Sequence, residues 1–183
     1  MTACGKLYRR KLFTHIRFPN GRIWEDLAIT YKLLLSATQI AFINKEYPYY
    51  YYYYNKDSTT HAKWTQSNLD ELIAYEEQIK FFQCNRQYDE IQKALQRRYI
   101  RVIGYQVINM ERSEICDKQK VFFRNLLSRK MRHAIIVYGR NANISYPEYS
   151  WELEIAFPRG MQAYWVLSSQ ITKLRKIINR IKI

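Results

Sequence analysis

The chain has 183 residues, of which 48% are hydrophobic and 25% are charged, with only 5 glycines and 4 prolines. This composition is typical of a globular protein and excludes a long disordered linker. No apolar run approaches the roughly 18 residues of a transmembrane helix, and no signal peptide is expected. The net charge is +14, and 19 of the 30 Lys and Arg residues lie after residue 84. Such a surface favours polyanions: nucleic acid, anionic membrane or phosphorylated substrates.

The first 62 residues are predicted to mix helices and strands. Residues 6–16 favour a short helix, Phe18-Pro19-Asn20-Gly21 is a turn signal, and the apolar spacing over 25–37 predicts a helix. Two strands are expected next, at 39–44 and at 47–54, the second being rich in tyrosine. The expected order is therefore helix, helix, strand, strand.

Residues 63–183 are predicted to form a helical extension with most of the positive charge. Its first helix follows a weak capping box of Ser67 and Asp70, and further helices are expected at 88–110 and 114–137. Residues 139–147 read as a loop, and the pattern of 148–157 is ambiguous. A last helix is expected from about residue 161 to the end.

The three cysteines are Cys4, Cys84 and Cys116, an odd number without a Cys-x-x-Cys pair. This spacing argues against a disulfide framework and against a zinc site. Reduced thiols in the cytoplasm are the simplest interpretation.

The most informative part of the chain is residues 3–61, which read ACGKLYRRKLF, then IRFPNGRIWED, then a helix, then IAFINKEYPYYYYYYNKDSTTH. This order of motifs resembles the C-terminal, acceptor side of the catalytic domain in GT-A family-two glycosyltransferases, which build capsules, O-antigens and related surface polysaccharides. The resemblance implies an α/β GT-A remnant over 1–62, followed by the mainly α-helical extension. It also implies transfer of a sugar, with inversion, from a nucleotide-sugar to a glycan or lipid-linked acceptor.

The Glu-Asp pair that opens the helix at residue 25 is where the resemblance places the catalytic chemistry. Inverting transfer needs a carboxylate that takes the proton from the attacking hydroxyl. The resemblance assigns this role to Asp26 and an orienting role to Glu25. The structural alternative is that acids in a first helical turn stabilise the helix dipole by about 0.3–1 kcal/mol.

Residues implied to bind the acceptor are a basic and aromatic set near the N-terminus and on the tyrosine-rich segment. They are Lys6, Tyr8, Arg9, Trp24 and Tyr53. A solvated helix face and a half-buried strand are the structural alternatives for these side chains. His61 is a candidate metal ligand, and a surface histidine is the alternative.

The sequence has no Asp-x-Asp, the motif that holds the divalent metal, Mg or Mn, expected in the full enzyme. The half that binds the nucleotide-sugar is also not recognisable. The chain is therefore expected to be inactive alone. Three interpretations stay open: a fragment, a split protein, or a partner of a donor-binding chain.

The predicted last helix has an apolar stripe beside a cationic face. Such a helix suits an anionic membrane surface, so peripheral attachment at the cytoplasmic face is expected besides plain cytoplasmic solubility. The residues expected to face the membrane are Trp165, Lys173, Lys176 and Arg180.

Two other functions stay open: a non-catalytic interaction or membrane-anchoring module, and a basic nucleic-acid-binding protein. Nucleic acid is the less favoured partner, because no RRM, KH or helix-turn-helix pattern is present.

Overall fold

A computed structural model describes residues 2–43, 50–51, 53–55, 58, 63–84, 88–144 and 149–158. These residues form helices and no strand. The helices are α1 (Glu25–Ser36), α2 (Asp70–Gln83), α3 (Asp89–Glu111), α4 (Asp117–Tyr138) and α5 (Ser150–Ala156). Short 3-10 turns at Arg10–Phe13 and Gln66–Leu69 complete the described elements.

The predicted α/β fold class is wrong, because neither predicted strand is seen in the part of the chain that the structure describes. Residues 39–43 and the described part of 47–54 form no β-ladder. Phe42 is 92% exposed and Tyr53 is 84% exposed, so neither segment buries a face against a core. A strand needs a neighbouring strand to pair its backbone groups, and a run rich in aromatic residues does not by itself provide one. Residues 44, 47–49 and 52 lie outside the described residues.

The helices agree better with the sequence pattern, and differ from it mainly at their ends. The predicted helix at 6–16 contains only the 3-10 turn Arg10–Phe13, whereas 25–37, 88–110 and 114–137 correspond to α1, α3 and α4. The expected capping box at Ser67 and Asp70 is wrong by two residues. Thr65 and Asn68 form it instead, with the Thr65 amide donating to Oδ1 of Asn68 at 2.7 Å.

Contacts divide the chain into two compact units. The first comprises Met1–Leu95 and Asn109–Ile115, and the second comprises Gln96–Ile108 and Cys116–Ile183. The sequence-based boundary at residue 62 stays a prediction.

The core of the first unit lies between α1 and α2. Leu33 and Ala74 are fully buried there, and burying a leucine contributes roughly 1.5–3 kcal/mol. The N-terminal segment packs on the same cluster with apolar side chains, which are Tyr8, Leu12, Phe13, Ile16 and Phe18. This packing brings the residues that precede α1 in sequence against α1 itself.

The second unit includes α4 and α5. Helix α4 buries Phe123, Leu127, Met131 and Ala134. The ambiguous segment 148–157 is helical over Ser150–Ala156, and the hydroxyl of Ser128 donates to the carbonyl oxygen of Ile155 at 2.8 Å.

An ion pair holds α5 through a buried glutamate side chain. The side chain of Glu152 is only 3% exposed, and Arg101 Nη1 donates to its Oε1 at 3.1 Å. The same guanidinium lies 4.3 Å from the ring centroid of Tyr149. Because an unpaired buried carboxylate is strongly destabilising, this pair explains why an acidic residue is tolerated in the core.

Candidate functional site

The turn that leads into α1 has two residues with left-handed backbone. Gly21 has φ 71° and Trp24 has φ 62°. Glycine adopts this conformation at no steric cost, and Asn20-Gly21 was predicted as a turn on that basis. Trp24 is different, because a side chain with a Cβ is strained there and the cost is about 1–3 kcal/mol. Its carbonyl oxygen nevertheless accepts from the amide of Ala28 at 3.2 Å, and α1 begins at the next residue.

Two contacts with α2 hold this turn in place. The amide of Ile23 donates to Oδ2 of Asp70 at 3.2 Å. The guanidinium of Arg22 donates through Nη1 to Oε1 of Glu77 at 2.8 Å. The remaining nitrogens of Arg22, Nε and Nη2, are buried without a hydrogen-bond partner in the described structure. The start of α1 is thus positioned by carboxylates that lie far away in sequence.

A third contact joins α2 to the first turn of α1. The side-chain amide of Gln78 donates to the carbonyl oxygen of Leu27 at 2.7 Å, and Gln78 is buried. Sequence reasoning missed Asp70, Glu77 and Gln78, because acidic and amide residues on a helix are usually solvated and nothing local marks their partners.

Asp26 is half-buried in the first turn of α1, and Glu25 beside it is exposed. Oδ1 of Asp26 accepts from the amide of Leu27 at 2.7 Å. The main-chain oxygen of Asp26 accepts from the hydroxyl of Thr30 at 2.7 Å. These two hydrogen bonds hold Asp26 in the first turn at the N-terminus of α1.

Tyr8 and Asp26 are close enough to interact electrostatically, although they are on different elements. Burial raises the pKa of the Tyr8 phenol, and the negative charge of Asp26 and then Cys4 raise it further. The Tyr8 ring packs edge-on against Phe13, with ring centroids 5.8 Å apart. Its hydroxyl is buried and has no hydrogen-bond partner among the described residues. Tyr8, a predicted acceptor-binding residue, thus packs on the α1 cluster of Ala28 and Ile29, within electrostatic reach of the predicted base.

The other predicted acceptor-binding residues are more dispersed. The ammonium of Lys6 donates to the carbonyl oxygen of Thr2 at 2.6 Å, and Arg9 is exposed at the start of the 3-10 turn. Trp24 is 40% exposed beside Asp26, and Tyr53 is far more exposed. The structure does not bring Lys6, Arg9 or Tyr53 into hydrogen-bond or ion-pair contact with Asp26, so their role stays a prediction.

Within the described ranges, no three His, Cys, Asp or Glu side chains come together as a metal site. We therefore assign no metal ligand there, and His61 lies outside those ranges. No described helix is both long and apolar enough to cross a membrane. The predicted membrane-facing residues also fall outside the described part of the chain; these are Trp165, Lys173, Lys176 and Arg180.

Comparison with known proteins gives a local similarity. The chain is 32% identical over 73 residues, 39% of its length, to "Glycosyltransferase GlyA" of Streptococcus pneumoniae serotype 4. It spans only 10% of the length of that relative. No protein-family model matches the chain, and no solved structure matches it significantly. The chain is thus similar, over part of its own length, to a glycosyltransferase.

Proposed function

We propose that this chain provides the acceptor side of an inverting glycosyltransferase of the family-two kind. The enzyme would transfer a sugar from a nucleotide-sugar to a glycan or lipid-linked acceptor during surface polysaccharide synthesis. Two observations on the sequence support the proposal: the ordered motifs of residues 3–61 and the local similarity to a glycosyltransferase.

The observation that supports the site best is that Tyr8 packs on the cluster containing Ala28 and Ile29 of α1, within electrostatic reach of Asp26. Asp26 raises the pKa of the Tyr8 phenol, and that phenol is buried without a partner among the described residues. A buried hydroxyl without a hydrogen bond costs about 1–3 kcal/mol, so a partner is expected in the working state. The proposal therefore requires the Tyr8 hydroxyl to become accessible when the acceptor binds, so that a hydroxyl of the acceptor can be this partner.

In the proposed reaction, Asp26 accepts the proton of the attacking hydroxyl as its oxygen bonds to the anomeric carbon of the donor. The bond between that carbon and the nucleoside diphosphate breaks, and its electron pair leaves with the diphosphate. Tyr8 stays protonated, since its pKa is raised, and donates a hydrogen bond. Glu25 orients the acceptor, and the strained, exposed Trp24 offers a ring on which a sugar face can stack.

Three further parts of the proposal concern groups that the described structure does not bring into contact with Asp26. Lys6, Arg9 and Tyr53 line the outer part of the acceptor path. The nucleotide-sugar and its divalent metal, Mg or Mn, bind elsewhere, either in another part of a longer protein or on a donor-binding chain. The proposed place of reaction is the cytoplasmic face of an anionic membrane, where a lipid-linked acceptor would be presented.

The proposal is tested by Asp26→Asn in the natural, full-length protein, with release of nucleoside diphosphate as the readout. Removing a general base is expected to lower kcat by roughly 10²–10⁴-fold, while KM for the donor changes little. Asp117→Asn is the matched control, because Asp117 is also an acid in the first turn of a helix. Full activity of Asp26→Asn would contradict the catalytic role and favour a non-catalytic module.

A further inference from the structure

Helix α4 has an outer face that carries both apolar and basic side chains. Steps of three and four residues, with one of seven, place Lys118, Phe122, Asn125, Arg129 and Ile136 on one stripe, and all are exposed. Val121 and His133 flank it and are exposed as well. Phe122 is 59% exposed and Ile136 is 69% exposed, so these side chains bury little in the protein.

The opposite face of α4 already accounts for its place in the fold. Phe123, Leu127, Met131 and Ala134 are the buried residues of the helix. An amphipathic helix normally has polar residues on its second face. Here the second face adds large apolar side chains to the buried ones, and folding of the second unit does not explain them.

The charge of α4 identifies the kind of surface that its outer face fits. The helix contains six Lys and Arg residues and a single acid, Asp117. No acidic residue lies on the outer face, whereas Lys118 and Arg129 do. Each basic residue near an anionic lipid surface contributes about 1 kcal/mol, and exposed apolar side chains can enter the boundary between headgroups and acyl chains.

We propose that the outer face of α4 binds the surface of an anionic phospholipid membrane, with Phe122 and Ile136 inserted and Lys118 and Arg129 at the headgroups. Nucleic acid fits less well, because Ile136 and Val121 are aliphatic and have no ring on which a base can stack. This surface lies on described residues and is separate from the predicted last helix, which lies outside them. It does not depend on the proposed function, since lipid binding requires no sugar transfer.

The test is flotation of the whole chain with vesicles of phosphatidylcholine containing 30% phosphatidylglycerol, compared with phosphatidylcholine alone. Lys118→Gln/Arg129→Gln is expected to lower the affinity for anionic vesicles about tenfold or more at low salt. Phe122→Ser/Ile136→Ser is expected to lower it about tenfold as well. Far-UV circular dichroism and the thermal unfolding midpoint establish whether each variant is folded. If the apolar variant does not fold, the charge variant still tests the proposal.

Matched controls come from the first unit. Lys11→Gln/Lys80→Gln removes the same charge from exposed positions, and Leu7→Ser/Phe42→Ser removes the same kinds of exposed apolar side chain. Both controls are expected to bind within about twofold of the wild type if α4 is the contact. Wild-type binding by both α4 variants, or equal binding to neutral and anionic vesicles, overturns the proposal. Loss of RNA binding by the charge variant with unchanged vesicle binding would also overturn it.

Discussion

Nη1 of Arg22 lies 2.8 Å from Oε1 of Glu77, and this contact joins the turn before α1 to the middle of α2. The two residues are 55 positions apart in sequence. Together with the bond from the Ile23 amide to Asp70, the contact determines where Trp24 and Asp26 lie. The candidate base is thus positioned by residues that would not themselves touch a substrate.

Glu77→Ala is expected to destabilise the protein by about 1 kcal/mol, because it leaves the half-buried guanidinium of Arg22 without its carboxylate. Arg22→Met/Glu77→Ala is expected to cost no more than Glu77→Ala alone, since no charge is then left unpaired. Urea unfolding of both single variants and the double variant gives the coupling energy. Additive effects would mean that the ion pair contributes nothing to holding the turn.

Replacing Trp24 tests the strain at the entry to α1. Trp24→Gly and Trp24→Ala both remove the indole, but only glycine adopts the observed φ of 62° without a steric penalty. The glycine variant is therefore expected to be more stable than the alanine variant by about 1 kcal/mol. Thermal unfolding compares the two directly, and an alanine variant that is equally stable would show that the left-handed conformation is not strained.

Tyr31 makes the protein sensitive to alkaline pH. Burial, and then the charge of Glu77, raise its pKa from the ordinary value near 10 to about 12, and its hydroxyl is buried without a partner among the described residues. The unfolded chain loses this proton first, so the contribution of Tyr31 to stability is complete below pH 10 and is lost as the pH rises towards 12. Tyr31→Phe should raise the pH midpoint of alkaline unfolding followed by circular dichroism. Phe keeps the edge-on packing against Phe81, whose ring centroid lies 5.2 Å away, so an unchanged midpoint would contradict the prediction.

Gly104 in α3 allows close approach of the Trp151 ring from α5. A Cβ at residue 104 would lie 2.7 Å from Cζ3 of Trp151. Gly104→Ala is therefore expected to displace the indole, at a cost of about 1–3 kcal/mol that outweighs the better helix propensity of alanine. In a Trp151→Ala background the same substitution should instead stabilise the protein by about 1 kcal/mol. Urea unfolding of the four proteins tests this change of sign, and destabilisation in both backgrounds would disprove it.

The sequence pattern was sufficient for the long helices and insufficient for the segments rich in aromatic residues. Apolar residues at steps of three and four predicted α1, α3 and α4, because helix hydrogen bonds are local and the pattern reports the buried face. A short apolar run over 39–44 and a run rich in tyrosine over 47–54 predicted strands, but a strand exists only where another strand pairs with it. That information is not contained in the segment itself.

By itself, the sequence determined the helical segments, the basic second half and the acid pair at the start of α1, all of which depend on local spacing and composition. It also contained the motif order that led to a glycosyltransferase, which a local similarity supports at the coarse level. Only the tertiary structure decided that Tyr8 packs on the core between α1 and α2, that Asp70 and Glu77 hold the turn at Trp24, and that α4 exposes Phe122 and Ile136. These relationships depend on which helix faces are buried. Packing between residues that are far apart in sequence determines those faces.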